Sequence, residues 1–413
     1  MSQRRVVITG FSAITPIGSA PGDILDNLLG GVSGVAPLRP DTILSDYLNC
    51  QVFAGVDYPL DLDFPRKYAK TMGPAARYAC YTAREAIARA GLTPEYLASG
   101  RVGVAFGSTQ GSPTVQREIY QVFFSGREED FRRLNGADYL RSMSHTTAAN
   151  ISRMFGITGR VISSCTACTT SSQSIGFGYE AVKFGLADAM LCGGADEYDT
   201  TTVAVFDKIL AASHSFNDRP TATPRPFDQD RDGLVIGEGA GCLVLEELES
   251  ARRRGAPILG EVLGFACTAN GGDMIMPQES GIENCLRLGL ADAGLNPTEV
   301  DFVSAHATAT RAGDQVEAQA LARVYGPDGP LVTGFKGHVG HTMGSCGVIE
   351  SVFTLLLMAR GAAAPTLNLE TVDPACAGIN HTLTVREAAL EVASVQNFAF
   401  GGVNTVLFYK KTV

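Results

Sequence analysis

Apolar and polar positions follow two alternating rhythms along the chain. Short apolar runs such as VGVAFGS (Val102–Ser108) and VDFVSAH (Val300–His306) read as buried strands. Stretches with helical spacing lie before them, YACYTAREAIARAGL in one case and ENCLRLGLADAGL in the other. Both stretches end alike. Ala88, Ala90, Gly91, Leu92 and Pro94 in ARAGLTP match Ala291, Ala293, Gly294, Leu295 and Pro297 in ADAGLNP. The Gly is placed as a helix C-cap with Pro soon after it. A second echo follows. VISSCTAC leads into the helix-like SSQSIGFGYEAVKFG and the strand-like AMLCGGA, and LVTGFKGHVGH leads into the helix-like CGVIESVFTLLLMARG. This order of elements implies an α/β fold with parallel or mixed sheets, drawn twice. The halves divide near Arg253, giving residues 1–253 and 254–413, and the first is longer, with an insertion-like region at Leu38–Tyr78.

Composition narrows the class. The chain has 413 residues, 45% hydrophobic and 18% charged, enough for two or three domains' worth of core. A net charge of −10 argues against a nucleic-acid binder. The N-terminal MSQRRVVITG lacks the apolar core of a signal peptide, and no apolar run reaches the length of a membrane span, about 18 residues. A cytoplasmic protein is expected, with its ten Cys reduced and mostly acting as small core hydrophobes. GEGAGC (Gly237–Cys242) looks faintly like a phosphate loop, but it precedes the strand-like CLVLEEL and no helix, so dinucleotide binding is not expected. PRPFDQDRDGLVIGEGAG reads as turns and a tight loop.

The candidate chemistry starts with Cys165 and Cys168, three apart where a strand becomes a helix. They could form a redox pair, half of a metal site, or a nucleophile with a bystander. Cys165 is expected in the strand end and Cys168 at the helix start. There is no second CxxC to complete a metal site. A thiol at a helix N-terminus is expected to be biased towards thiolate, the form that makes and breaks thioesters. His306 at a strand end and His341 at a helix start occupy equivalent boundaries in the second half. Strand ends are where ligands collect in α/β sheets. Lys336 lies close to His341, with Asp314 and Glu350 as possible charge partners.

Five motifs in order carry a resemblance across nearly the whole chain. They are TACTTSS around Cys168, PRPFDQDRDGLVIGEGAG, SAHATATRAGD around His306, KGHVGHTMGSCG around Lys336 and His341, and NFAFGGVNT near the C-terminus. Together they resemble the elongating beta-ketoacyl-acyl carrier protein synthases. The resemblance implies a thiolase-like fold, two similar halves in a five-layer α-β-α-β-α arrangement, normally dimeric. It implies that Cys168 accepts an acyl chain from carrier-protein phosphopantetheine. It also implies that His306 and His341 stabilise the enolate formed when malonyl-carrier protein loses carbon dioxide. Cys168 and Phe400 backbone N–H groups would form the oxyanion hole, Phe400 would gate the acyl tunnel beside Phe398, and Thr308 and Thr310 would hold the pantetheine arm. Lys336 would order the His341 region, and Cys165 becomes the bystander. No metal and no cofactor of the enzyme's own is implied. The partners would be acyl carrier protein and a second ketosynthase-like subunit, either identical or a chain-length factor.

Several positions depart from the family pattern. Ala307 replaces a glycine, which would narrow the pantetheine approach, and His338 is an extra imidazole without a role. Gln110 stands where the family's residue tends to be apolar and to line the acyl tunnel across the dimer. With the look of NFAFGGVNT and of the SCG after His341, it points to unsaturated or aryl-polyene-type chains. Arg66, Lys67 and Lys70 in FPRKYAK match the family's docking stretch, a positive patch for an acidic carrier protein on an acidic enzyme. The competing readings are a partner-only subunit, disfavoured by the presence of Cys168, and a thiolase, disfavoured because FAFGGVN stands where a second catalytic Cys would. A CxxC redox or metal protein is the rival from another class.

Overall fold

The computed structural model describes residues 4–39 and 45–412. Met1–Gln3 of the N-terminal stretch and residues 40–44 of the Leu38–Tyr78 region lie outside the described residues. We number the elements that carry the architecture β1 (Val6–Ile14), β2 (Val102–Gly107), β3 (Val161–Ile162), β4 (Ala189–Asp196) and β5 (Gly239–Glu247), then β6 (Gly260–Ala269), β7 (Phe302–Ala305), β8 (Leu331–Gly334), β9 (Val392–Ala399) and β10 (Val403–Lys410). The helices are α1 (Pro74–Ala90), α2 (Pro113–Ser125), α3 (Thr146–Phe155), α4 (Thr170–Lys183), α5 (Glu279–Ala293), α6 (Arg311–Tyr325) and α7 (Cys346–Arg360).

The duplication is visible in the sheet. The first half runs β3-β2-β4-β5-β1 and the second β8-β7-β9-β10-β6. Every pairing sense is repeated. β2 is parallel to β3 and β4, and β5 is antiparallel to β4 and β1. β7 is parallel to β8 and β9, and β10 is antiparallel to β9 and β6. An antiparallel β1–β6 contact joins the halves.

Three apolar clusters fill the layers. Ala79, Ala83 and Ile151 of α1 and α3 pack on Val104 and Val244 outside the first sheet half. Ile175 and Tyr179 of α4 and Val352 and Phe353 of α7 share the central cluster with Ile8, Phe302 and Leu407 from both sheet halves. Leu286 and Leu321 of α5 and α6 pack on Val303 and Phe408 outside the second. The order is α-β-α-β-α. Met343–Arg360, with mean hydropathy 1.3, has the length and composition of a membrane span, but 89% of it is buried here between the sheets.

The matched helix ends have a packing reason. Gly91 and Gly294 take left-handed φ of 63° and 67° and close α1 and α5. The alanines just before them sit on glycines of the first strand of each half. A Cβ on Gly10 would meet the Ala90 Cβ at 2.9 Å, and one on Gly264 would meet the Ala293 Cβ at 2.7 Å.

Three expectations are corrected. β3 stops at Ile162, so Cys165 lies in the loop beyond the strand. Gly239–Gly241 belong to β5 and form no loop, and their lack of side chains admits Val348 of α7, whose Cγ1 would lie 2.8 Å from a Cβ on Gly241. The extra length of the first half is not confined to the region after β1. Residues 108–160 and 197–238 are also inserted, where the second half has only α6 and a tight turn at 400–402.

Candidate active site

The site forms where the two halves present equivalent ends to each other. Cys168 sits in a 3-10 turn, Ala167–Thr169, directly before α4. It does not cap that helix; Thr169 holds the N-cap position. Ala167 is held at φ 47°, a left-handed conformation costly for a residue with a side chain. His341 precedes the equivalent turn, Met343–Ser345, before α7, where Met343 has φ 55°. The DGLVIGEG stretch clamps His341: its N–H donates to the Val235 carbonyl (2.6 Å), and the Gly237 N–H donates to its own carbonyl (2.9 Å). His306 follows β7 at once.

These side chains converge. His341 Nε2 lies 2.9 Å from Cys168 Sγ. The imidazoles of His306 and His341 stand edge to face, 5.2 Å between centroids, and Phe398 lies 5.9 Å from His306. All three form the base of a 460 Å³ cavity whose walls include Thr308, Thr310 and Phe400. The two threonine hydroxyls are 3.0 Å apart. Phe400, in the β9–β10 turn, stacks on Phe206 at 5.7 Å and is partly exposed. Ligand atoms of Cys168, His306 and His341 lie within 4.8 Å of one another, the spacing at which such groups can also hold a metal ion.

Burial sets the electrostatics, and here one expectation fails. Cys168 is only 6% exposed, and desolvation pushes its thiol up to about 12, against the pull of Lys336. The helix start does not overcome that, because a dry surround penalises a thiolate more than one helix end rewards it. The resting nucleophile is a neutral thiol facing His341. Burial first, and the Lys336 cation second, hold both His306 and His341 well below the ordinary imidazole range, so both rings are neutral.

Lys336 is itself buried and paired with Glu350, which is equally buried. Desolvation, the largest single influence, works against the ammonium, but Glu350, Cys346 and Glu317 together outweigh it, and the Lys336 pKa ends above its usual value. Asp314 does not join this pair: it lies 3.6 Å from Arg231 and accepts the Phe227 and Ala309 N–H groups. His338 faces away from the cavity, with Nδ1 2.9 Å from the Val32 carbonyl and Nε2 3.2 Å from that of Pro365, in a structural role.

The loop after β7 explains the departure at Ala307. Glu317 of α6 accepts the N–H groups of His306 and Ala307, both at 2.7 Å, and Asp314 accepts that of Ala309. These acids hold Ala307 at φ 28° and Ala309 at φ 66°. Burial raises Glu317 to about 7 and Asp314 to about 6. Glu317 did not stand out in the sequence; its spacing of eleven residues from His306 carries no motif. Asn397 and Cys346 were also missed as site residues, although both lie inside quoted motifs.

Two groups do not join the cavity. Gln110 is half-buried outside its lining, and its Oε1 accepts from the Thr202 hydroxyl at 3.2 Å. Arg66, Lys67 and Lys70 lie on the outer surface, on and just after a one-turn helix Arg66–Ala69, all exposed. Arg153 joins them, with its guanidinium over the Tyr68 ring at 5.2 Å. Cys165 is exposed and donates to the Thr109 carbonyl at 3.3 Å.

Two duplicated halves, one supplying a cysteine and the other two histidines to the base of one cavity, define an acyltransferase of the thiolase-like fold. Comparison with known proteins places it further. The N-terminal domain model of beta-ketoacyl synthases matches residues 3–251 and the C-terminal domain model matches 259–370. The chain belongs to the beta-ketoacyl synthase family. It is 32% identical to 3-oxoacyl-[acyl-carrier-protein] synthase 1 of Haemophilus influenzae, over 99% of both chains. It is 34% identical to the mitochondrial 3-oxoacyl-[acyl-carrier-protein] synthase of Arabidopsis thaliana, covering 99% of this chain and 93% of the other. Among solved structures, a beta-ketoacyl synthase from Burkholderia phymatum superposes with TM-score 0.93 at 40% identity, over 99% of this chain and 100% of that one. The ishigamide ketosynthase/chain length factor superposes with TM-score 0.91 at 30% identity, over the full length of both.

Proposed function

We propose that this chain condenses an acyl group held on Cys168 with a malonyl group delivered by acyl carrier protein. The observation that carries this reading is the meeting of Cys168 Sγ with His341 Nε2 at 2.9 Å beside His306. In the first step Cys168 Sγ bonds to the acyl carbonyl carbon. The thioester bond to the carrier breaks, and the thiol proton passes to the departing carrier thiolate. In the second, malonyl-carrier protein loses carbon dioxide, and the pair from the broken C–C bond becomes an enolate. N–H groups of His306 and His341 hold the enolate oxygen, where preorganised donors lower the barrier. The enolate carbon then attacks the Cys168 thioester. Cys168 leaves as thiolate and takes a proton from water, and a 3-oxoacyl chain remains on the carrier. Backbone N–H groups of Cys168 and Phe400 would receive the charge on the acyl oxygen, and Thr308 and Thr310 the pantetheine amides. The neutral rings suit this work, since each keeps one N–H to donate without a full charge in a dry site.

Two subunits are part of the same proposal. Among the described residues β3 has no strand on its outer side and Val161 is 48% exposed, and α2 and the segments after it expose Tyr120, Phe123, Phe124, Phe131 and Tyr139. Open edges and aromatic patches of this kind call for a partner. One of the similar structures pairs a ketosynthase with a chain length factor, and another holds an acyl-carrier protein in complex with its ketosynthase. The aryl-polyene reading rests on the look of NFAFGGVNT, on the SCG at Ser345–Gly347, and on Gln110, whose Oε1 accepts from the Thr202 hydroxyl. The deciding experiment offers acyl-carrier proteins of differing chains with malonyl-carrier protein. The expected result is an acyl mass on Cys168 and a 3-oxoacyl product two carbons longer. Neither appearing with any chain would reject the reading.

A further inference from the structure

Beneath His306 sits a side chain that the reaction so far leaves unused. Asn397, near the end of β9, is fully buried. Its Nδ2 lies 2.8 Å from Glu350 Oε2, 3.3 Å from His306 Nδ1 and 3.4 Å from Cys346 Sγ. Its Oδ1 accepts from the Ser172 hydroxyl. These partners fix which end of the amide is which. Turned over, Oδ1 would face a carboxylate oxygen at 2.8 Å, acceptor against acceptor, in a site with no water to relieve it. Gly347 leaves the room, since a Cβ there would lie 2.7 Å from Oδ1 and 1.9 Å from Ser172 Oγ.

The amide has two hydrogens. Glu350, the stronger and closer acceptor, takes one. The other goes to His306 Nδ1 at 3.3 Å, since Cys346 Sγ at 3.4 Å is the weaker acceptor. A ring nitrogen that accepts a hydrogen bond carries no hydrogen, so the neutral ring must carry its proton on Nε2. His306 lines the cavity and Asn397 does not, so the ring spans from the Asn397 amide to the cavity. We propose that Asn397 is a positioning residue that locks His306 as the Nε2–H tautomer and so makes it a donor towards the substrate thioester oxygen. The anchor is shared: Glu350 holds both Lys336 and the Asn397 amide, tying the Lys336 charge to the His306 tautomer.

This proposal rests on the ketosynthase reading, and its test separates the two. In 15N-histidine-labelled protein without substrate, NMR should show His306 as Nε2–H in the wild type. In Asn397→Asp the new carboxyl, sharing one proton with the adjacent Glu350, is left to accept at Nδ1, so the ring should become Nδ1–H. In Asn397→Leu the tautomers should mix. Malonyl-carrier protein decarboxylation should fall by about a hundredfold or more in Asn397→Asp, in the range seen when a catalytic donor is lost or a histidine is left in the wrong tautomer. Acylation of Cys168, which does not use His306, should persist. An Nδ1–H ring in the wild type, an unchanged tautomer in Asn397→Asp, or equal loss of both half-reactions would overturn the proposal. If no substrate reacts even with the wild type, the ketosynthase reading fails, and the tautomer measurement still decides the role of Asn397.

Discussion

The two halves share strand order and pairing sense, and each ends its third strand in a 3-10 turn before a buried helix. Their chemistry diverges at that turn. In the first half it carries Cys168; in the second the residues around it bring His341, and the preceding β7 end brings His306. Their edges diverge too. β8 is covered by a two-residue strand, Asn380–His381, whereas its counterpart β3 ends the sheet uncovered. The comparison teaches how a duplicated scaffold separates tasks. In the proposed reaction, facing strand ends let one half hold the covalent group while the other holds the developing charge, and the exposed aromatic patch Tyr120–Tyr139 belongs to the first half.

The largest expected effects come from breaking the division of labour. Cys168→Ser should abolish condensation, while Cys165→Ser should keep most activity. His306→Ala and His341→Ala should lose malonyl decarboxylation by about a hundredfold or more yet still be acylated on Cys168. Trapping the acyl-enzyme by mass spectrometry, beside a carbon dioxide assay, reads the two halves separately. Parallel loss of both steps would show that the halves do not divide the reaction.

Next in size is the Lys336–Glu350 pair, both 1% exposed. Lys336→Met leaves a buried carboxyl without its cation and should cost about 3–5 kcal/mol in chemical denaturation. Lys336→Met with Glu350→Gln should recover much of that, because no lone charge remains. If the single variant is as stable as wild type, the pair does not brace the site.

How much of this was legible in the sequence depends on how local each signal is. Gly91 and Gly294 announce their helix ends because a C-cap needs only its neighbours. Cys168, His306 and His341 were legible as residues at strand and helix boundaries. Glu350 was legible as a possible partner of Lys336, but the other contacts were not: Glu317 braces the His306 loop and Glu350 also takes the Asn397 amide, contacts that only the folded chain creates. Ser172 and Asn397 are 225 positions apart. The expected bias of Cys168 towards thiolate is offset for the same reason. The helix start is a local feature, whereas the burial that overrides it comes from both halves closing over the thiol.

A smaller effect is expected at the open edge. Val161→Lys with Phe124→Glu places charges on β3 and on α2, whose Phe124 is 87% exposed. Dimers should dissociate at higher protein concentration than for wild type, read by analytical ultracentrifugation. The equivalent change on the covered second half should do nothing to assembly. Docking should respond less. Reversing Arg66 and Lys70 to Glu should weaken carrier-protein binding on the order of tenfold at low salt, and the loss should shrink as salt screens it. Unchanged affinity at low salt would remove this patch from consideration.

The smallest effect is expected at Gln110. An unpaired amide in an acyl tunnel would cost about 1–3 kcal/mol on burial by a chain, and each methylene of a saturated chain gains roughly 0.8 kcal/mol when buried. A polar tunnel wall would therefore disfavour long saturated chains. The Gln110 side chain is instead held at its oxygen: Oε1 accepts from the Thr202 hydroxyl at 3.2 Å. It also lies outside the lining of this chain's cavity. Removing the amide should therefore leave chain preference nearly unchanged. Saturated and polyene acyl-carrier proteins competing for wild type and Gln110→Leu should give product ratios within about twofold, well under the tenfold that 1.4 kcal/mol would produce. A larger shift towards saturated chains in Gln110→Leu would return this residue to the tunnel, across the subunit interface from the cavity it does not line in its own chain.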